Sequence, residues 1–257
     1  MIFRRIPNLL FALCLLPGLV LAQPQSASQI VEASLNLWRG DTSYTVTEMT
    51  VQRPDWQRTM RMESWTRGMT DSLIRFTYPP RDADNATLKL DNDMWIFTPR
   101  LNRVTKLPAS MMMQSWMGSD FSYNDLARSD QALNHYQHQL IETRKENGYQ
   151  VYIIEATPHA NAPVVWGKEV VKIREDFMML ENVFYDQAMQ PVKTLKTLEI
   201  KQVNQKPYPA VMRITQAAKP DHWTEIRTLE VHMGIALPDY LFTLANLQRP
   251  RPWRAPN

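Results

Sequence analysis

The stretch MWIFTPRLNRVTKLPASMMMQSWMGSDFSYNDL, residues 94–126, decides how this chain folds. In an extended strand, Met94 and Ile96 project to one side while Trp95 and Phe97 project to the other. A strand that is bulky and apolar on both faces belongs in a sheet covered on both sides. Pro99 ends it, and residues 102–107 read as the next strand. The chain then turns polar, with Met111, Met112, Met113, Trp116, Met117 and Phe121 set into it. Unbranched, polarizable methionine repacks around ligands of varying shape and recurs on promiscuous binding surfaces. The same residues also suit an ordinary core, and the run alone leaves both readings open.

Upstream, short alternating segments at 42–51, 58–67, 71–78, 86–90 and 94–98 join 102–107 in an antiparallel meander rather than in βαβ units. Pro54-Asp55, Arg67-Gly68, Pro79-Pro80 and Asp91-Asn92-Asp93 punctuate them. Downstream, beyond a polar stretch at 133–138, the pattern resumes at 138–145, 149–157, 168–174, 178–185, 192–203, 210–216 and 223–233. Turn signals at Glu146-Asn147-Gly148, Glu175-Asp176 and Asp186-Gln187 separate several of these segments. One helix precedes them all, with Ser26 or Ser28 as its N-cap, Ile30, Val31, Leu35, Leu37 and Trp38 at helical spacing, and Gly40 as its stop. Its single apolar stripe predicts packing against a sheet. About a dozen antiparallel strands and one clear helix predict a strongly curved sheet or open barrel, an architecture that commonly encloses an apolar ligand cavity. Residues 237–247 read as a helical turn or edge segment, and the Pro/Arg-rich tail 248–257 as extended and poorly ordered.

Residues 1–22 carry Arg4 and Arg5, an apolar run at 9–21 and a Val20-Leu21-Ala22 end, the pattern of a secretory signal peptide cleaved after Ala22. The apolar run is too short to span a bilayer, and Pro17-Gly18 interrupts it. Ile6-Pro7 argues against the twin-arginine route. Cys14, the one cysteine of the chain, lies inside this segment. The mature chain is therefore expected to lack disulfides and thiol nucleophiles. Leu13 is too large for a lipoprotein cleavage site before Cys14. A freely soluble, periplasmic protein of a Gram-negative envelope is expected. Of the 29 Lys and Arg, two leave with the signal, so 27 face 26 acidic residues. Scattered charge so close to balance gives no footprint for nucleic acid.

Catalytic constellations are missing from the sequence. His135 and His138 form an HxxH pair without the glutamate of HExxH or an evident third ligand, so no metal site is expected. There is no GxSxG elbow, and Gly118-Ser119-Asp120 reads as a tight turn with Asp120 capping the next segment. A hydrolase of envelope lipids would have to rely on Ser119 and Asp120. Phosphate-cradling glycine loops are absent, and neither a cofactor nor an enzymatic activity is expected.

Residues 94–108, the run SWMGSDFSYNDL at 115–126, the hairpin FYDQAMQPVKTL at 184–195 and the closing LPDYLFTLANL at 237–247 resemble the outer-membrane lipoprotein-sorting (LolA-like) family, in particular its branch carrying Met-Gly-Ser-Asp-Phe-Ser. The resemblance implies an incomplete antiparallel β-barrel of about 11 strands, a strongly curved sheet covered by helices, forming a single lipid-binding domain over 23–247. It implies an apolar interior that accepts the acyl chains of a lipid or lipoprotein for transfer across the envelope. Trp95, Phe97, Met111, Met112, Met113, Trp116, Met117 and Phe121 are the candidates to line or gate that interior, and Arg100 and Arg103 to meet a headgroup. A monomer is expected, handing cargo between an inner-membrane exporter and an outer-membrane acceptor. The alternative is a non-catalytic accessory protein that docks on an RND- or ABC-type exporter of the inner membrane through its Met-rich patch.

Overall fold

The computed structural model describes residues 25–162 and 164–255. The signal-peptide reading and Cys14 lie outside the described residues. Among the described residues thirteen strands form one sheet, every neighbouring pair antiparallel. The first meander runs β1 (Thr42–Gln52), β2 (Gln57–Arg67), β3 (Asp71–Tyr78), β4 (Ala86–Leu90), β5 (Asp93–Thr98) and β6 (Arg103–Lys106). The second runs β7 (Tyr136–Glu146), β8 (Tyr149–Pro158), β9 (Lys168–Arg174), β10 (Met179–Tyr185), β11 (Pro191–Val203), β12 (Lys206–Gln216) and β13 (Lys219–Met233). The two meanders meet where β1 pairs with β13, so β6 and β7 are the free edges of one open, curled sheet. The thirteen strands match the thirteen segments marked by alternation in the sequence, two more than the count of about 11 that the family resemblance implied.

Tight turns carry the reversals. Asn147 and Gly148 take φ of 50° and 86° between β7 and β8, and Asn204 and Gln205 take 50° and 62° between β11 and β12. Two consecutive left-handed residues give a hairpin turn whose twist matches that of the strands it joins.

Strand alternation sorts the side chains onto two faces. On the outer face, Tyr44, Trp65, Leu73, Leu88 and Phe97 pack with Leu241, Phe242 and Leu247. These last three come from the C-terminal segment, a 3-10 turn at Asp239–Phe242 followed by α4 (Leu244–Gln248). The expected helical cover is thus only partial, since much of this outer layer is irregular chain. The tail, expected to be poorly ordered, is extended but docked: the Trp253 ring sits 4.8 Å from Tyr44 and 5.9 Å from Trp65.

The inner face is covered by α1 (Ala27–Arg39) and by the connection between the two edges. Ser26 caps α1 through a reciprocal box with Gln29, and Gly40 ends it at φ 61°. Ile30 and Val31 pack on Ile154 and Ile173 of the second meander. The connection contains 3-10 turns at Ala109–Met111 and Trp116–Gly118, then α2 (Tyr123–Leu126) and α3 (Arg128–Asn134). The Met-rich run is therefore the piece of chain that travels from one sheet edge to the other.

Candidate functional site

Between the inner face and its cover lies a cavity of about 320 Å³, at the small end of the range for ligand pockets. Strands β1–β3 and β7–β13 all contribute to its wall, which is how the curl of the sheet is best seen. Apolar groups dominate one part of it: Met62, Ile74, Trp116, Phe121, Ile214 and Ile226. The helix α1 contributes Val31, Leu35, Leu37 and Trp38 from above.

Of the residues singled out from sequence, Trp116 and Phe121 lie on this wall. Trp116 is 1% exposed; its ring lies 5.2 Å from that of Phe76, and its Nε1 donates to Thr87 Oγ1 at 3.2 Å. Met117 takes φ 50°, packs at the edge of the same cluster, and its carbonyl accepts from the Arg58 guanidinium. Met111 and Met112 sit away from the cavity, half-buried against Met94, Leu107 and Ala127. Met113 is exposed. Trp95 and Phe97 are on the outer face, under Leu241 and Phe242, because strand alternation sends them opposite Met94 and Ile96. Arg100 and Arg103 are exposed at the 3-10 turn and strand beyond β5, outside the cavity wall.

Sequence reading missed the wall supplied by β1 and β2: Ser43, Thr45 and Thr47, with Ser64 and Thr66. The signal was present as the alternation Ser43, Thr45, Thr47 against Tyr44 and Val46, hydroxyls on one face and bulky groups on the other. It marks a second face that is internal yet not greasy.

The MGSDFS run holds Trp116 and Phe121 in place. Ser119 Oγ donates to the Trp116 carbonyl at 2.7 Å and accepts from the Phe121 N–H at 3.2 Å, which closes a turn rather than presenting a nucleophile. Asp120, its side chain fully buried, accepts from Arg53 at 3.0 and 3.2 Å, from Gln216 Nε2 at 2.7 Å and from Thr224 Oγ1 at 2.7 Å. A second buried pair ties α2 to β11: Lys193 Nζ donates to both Asp125 oxygens at 2.7 and 2.6 Å. The same ammonium lies 4.7 Å and 5.0 Å from the rings of Trp166 and Phe184. Together the two pairs fasten the connection to both meanders.

His138 lines the cavity, and its Nδ1 lies 3.2 Å from Ser28 Oγ on α1. Burial pushes its pKa below the ordinary histidine value, so the ring favours its neutral form. Tyr208, also on the wall, is pushed up to about 12 by burial. Among the described residues no three His, Cys, Asp or Glu side chains converge as a metal site would require, and no helix is long and apolar enough to cross a membrane.

Solved structures share this architecture. A DUF1329 family protein from Desulfovibrio piger superposes with a TM-score of 0.79 at 22% identity, over 86% of this chain and 97% of that one. An outer membrane lipoprotein-sorting protein domain from Vibrio parahaemolyticus gives 0.77 at 23% identity, over 87% and 98%. A LolA superfamily protein from Nitrosomonas europaea gives 0.73 at 19%, over 86% and 99%. At these identities the likeness establishes the fold. No curated protein matches the sequence. A family model described as an uncharacterized protein matches residues 68–249, well over half of the sequence, and the chain, LolA-like in fold, therefore belongs to that family, DUF1329.

Proposed function

We propose that this chain is a non-catalytic periplasmic carrier, a single lipid-binding domain over 23–247 that takes an acyl chain of a lipid or lipoprotein into the cavity for transfer across the envelope. The observation that carries this reading is the cavity itself: about 320 Å³, formed by the inner face of the sheet, with Trp116 and Phe121 held on its wall. The signal-like N-terminus supports export, and the lipoprotein-sorting domain of like fold supports a cargo of this class.

The energetics suit a carrier. Each buried methylene is worth about 0.8 kcal/mol, so ten would gain roughly 8 kcal/mol. Lost translational and rotational freedom takes back at least about 4 kcal/mol of that. The net affinity from such a chain is therefore low, and cargo can pass on to a tighter acceptor. The accessory-protein reading, with docking on an RND- or ABC-type exporter through the Met-rich patch, has less support. Of its neighbouring methionines, Met111 and Met112 are half-buried against the fold, whereas Met113 is exposed.

Native mass spectrometry of the protein purified from the periplasm without detergent tests the proposal. A stoichiometric lipid adduct is the expected result. An apo mass that persists after incubation with envelope lipids would refute the carrier and favour the docking reading.

A further inference from the structure

The two free edges of the sheet are built differently. β6 has four residues, carries Arg103 and Lys106, and runs into Pro108. α4 stands beside it, with Gln248 Nε2 donating to the Asn102 carbonyl at 3.3 Å. A short strand, a lysine and a proline are means by which an edge is kept from pairing with another chain. β7 has eleven residues and no proline, and residues 139–145 are exposed one after another, Leu140 at 42% and Ile141 at 49%. Its upstream half is sheltered by α1, where Ser28 Oγ lies 3.2 Å from His138 Nδ1. A bulge between Leu140 and Glu142 separates that half from the regular stretch 142–146.

The hairpin decides which way the backbone of this stretch points. Asn147-Gly148 is a two-residue turn between Glu146 and Tyr149, and the pair flanking such a turn exchanges both backbone hydrogen bonds. Pairs alternate from there, so Arg144 bonds Val151 on β8, while the N–H and C=O of Thr143 and Lys145 point out of the sheet edge. Among the described residues no strand receives them.

Charge selects the occupant. Glu142, Arg144, Lys145 and Glu146 sum to zero, and Arg144 holds Glu142 and Glu146 at 3.3 and 2.6 Å. A second copy related by a twofold axis sets each residue opposite its mirror position about the centre. Centring on Glu142, Arg144 or Lys145 brings like charges face to face. Centring on Thr143 sets threonine opposite threonine, places Glu142 opposite Arg144 of the second copy on both arms, and lays the Lys145 stem along Ile141. At that centre the outward N–H and C=O groups of Thr143 also meet as a bonded pair.

We infer that β7 is a self-association edge: two copies of this chain join antiparallel through residues 141–145, about an axis at Thr143, and one sheet continues into the other. The family resemblance implied a monomer; an interface this small makes a transient dimer, with a Kd on the order of 10–100 µM. This association does not depend on what the cavity carries.

Sedimentation equilibrium of the chain purified from the periplasm, from about 1 to 300 µM, should show monomer and dimer in exchange. Thr143→Pro removes an N–H that β8 does not use, so the fold is kept while the dimer should weaken at least about tenfold. Glu142→Arg, at an exposed position where folding is not at stake, sets two like-charge pairs across the axis and should weaken it about five- to thirtyfold. Added thiols, each in a Cys14→Ser background, read the register. Thr143→Cys should link two copies by a disulfide on oxidation, since a bonded pair brings Cα atoms to about 5.5 Å, whereas Gln139→Cys, far from its mate in this register, should not. A chain that stays monomeric across the whole range overturns the inference and leaves the edge to a strand of another protein. A dimer unmoved by Glu142→Arg, or linked as readily through Gln139→Cys as through Thr143→Cys, overturns it as well.

Discussion

Asp120→Ala should destabilise the fold more than almost any other single change in the connection. In the folded chain the carboxylate is fully buried and meets an Arg53 side chain that is only 13% exposed. Removing it leaves that guanidinium without its counter-charge, and it also strips acceptors from Gln216 Nε2 and Thr224 Oγ1. Breaking a buried ion pair from one side costs about 3–5 kcal/mol. Domains are stable by about 5–15 kcal/mol in total. Urea unfolding followed by circular dichroism reads the loss directly: with a slope near 3 kcal/mol per molar, the midpoint should fall by about 1–1.7 M. Asp120→Asn keeps the shape and part of the hydrogen bonding and should lose less. Replacing both partners, with Arg53→Leu and Asp120→Leu, should recover part of the loss, because no charge is then stranded. A shift below about 0.3 M for Asp120→Ala, equivalent to roughly 1 kcal/mol, would refute the reasoning that this pair latches the connection to the sheet.

Lys193→Met removes the buried counter-charge of the Asp125 carboxylate, which keeps its hydrogen bonds from Ser122, and should cost about 3 kcal/mol in the same assay, the low end for a broken buried pair. Trp253→Ala should cost about 2 kcal/mol, less than a core tryptophan because the ring is half-buried, and thermal melts of the variant would check it. Burial raises Tyr208 from 10.0 to about 12. The folded state thus holds its proton where the unfolded chain releases it, and stability should be complete below pH 10 and fall as pH rises from 10 toward 12. Melts at pH 9, 10 and 11 should show a shallower fall for Tyr208→Phe.

The strands were legible because alternation and turn residues act locally. The pattern around Asn147-Gly148 specifies its hairpin with no help from the rest of the chain. The two-sided nature of β5 was legible for the same reason: Met94 and Trp95 must face opposite ways in any strand. Which face turns inward is a non-local matter. It depends on the pairing of β1 with β13 and on a C-terminal segment that covers Trp95 and Phe97 from outside. Greasiness therefore pointed to the wrong side of β5, and the hydroxyl-bearing wall on β1 and β2 drew no notice. The run MGSDFS stood out by composition, yet its work as a fastening rests on Arg53, Gln216 and Thr224, which are remote in sequence.

The pairing of β1 with β13 also sets an order of events. Ser43 lies opposite Met233, so the seam at the centre of the sheet joins the first strand to the last. Two meanders can zip by local hairpins, on either side of the Met-rich connection, but neither can dock its innermost strand until nearly the whole chain is present. A chain emerging from a ribosome or a translocation pore must therefore hold β1 with one edge unsatisfied through most of its synthesis or passage. The exposure is longest for the very strand that carries Thr45 and Thr47, and folding speed is governed there, by the search of the last strand for the first.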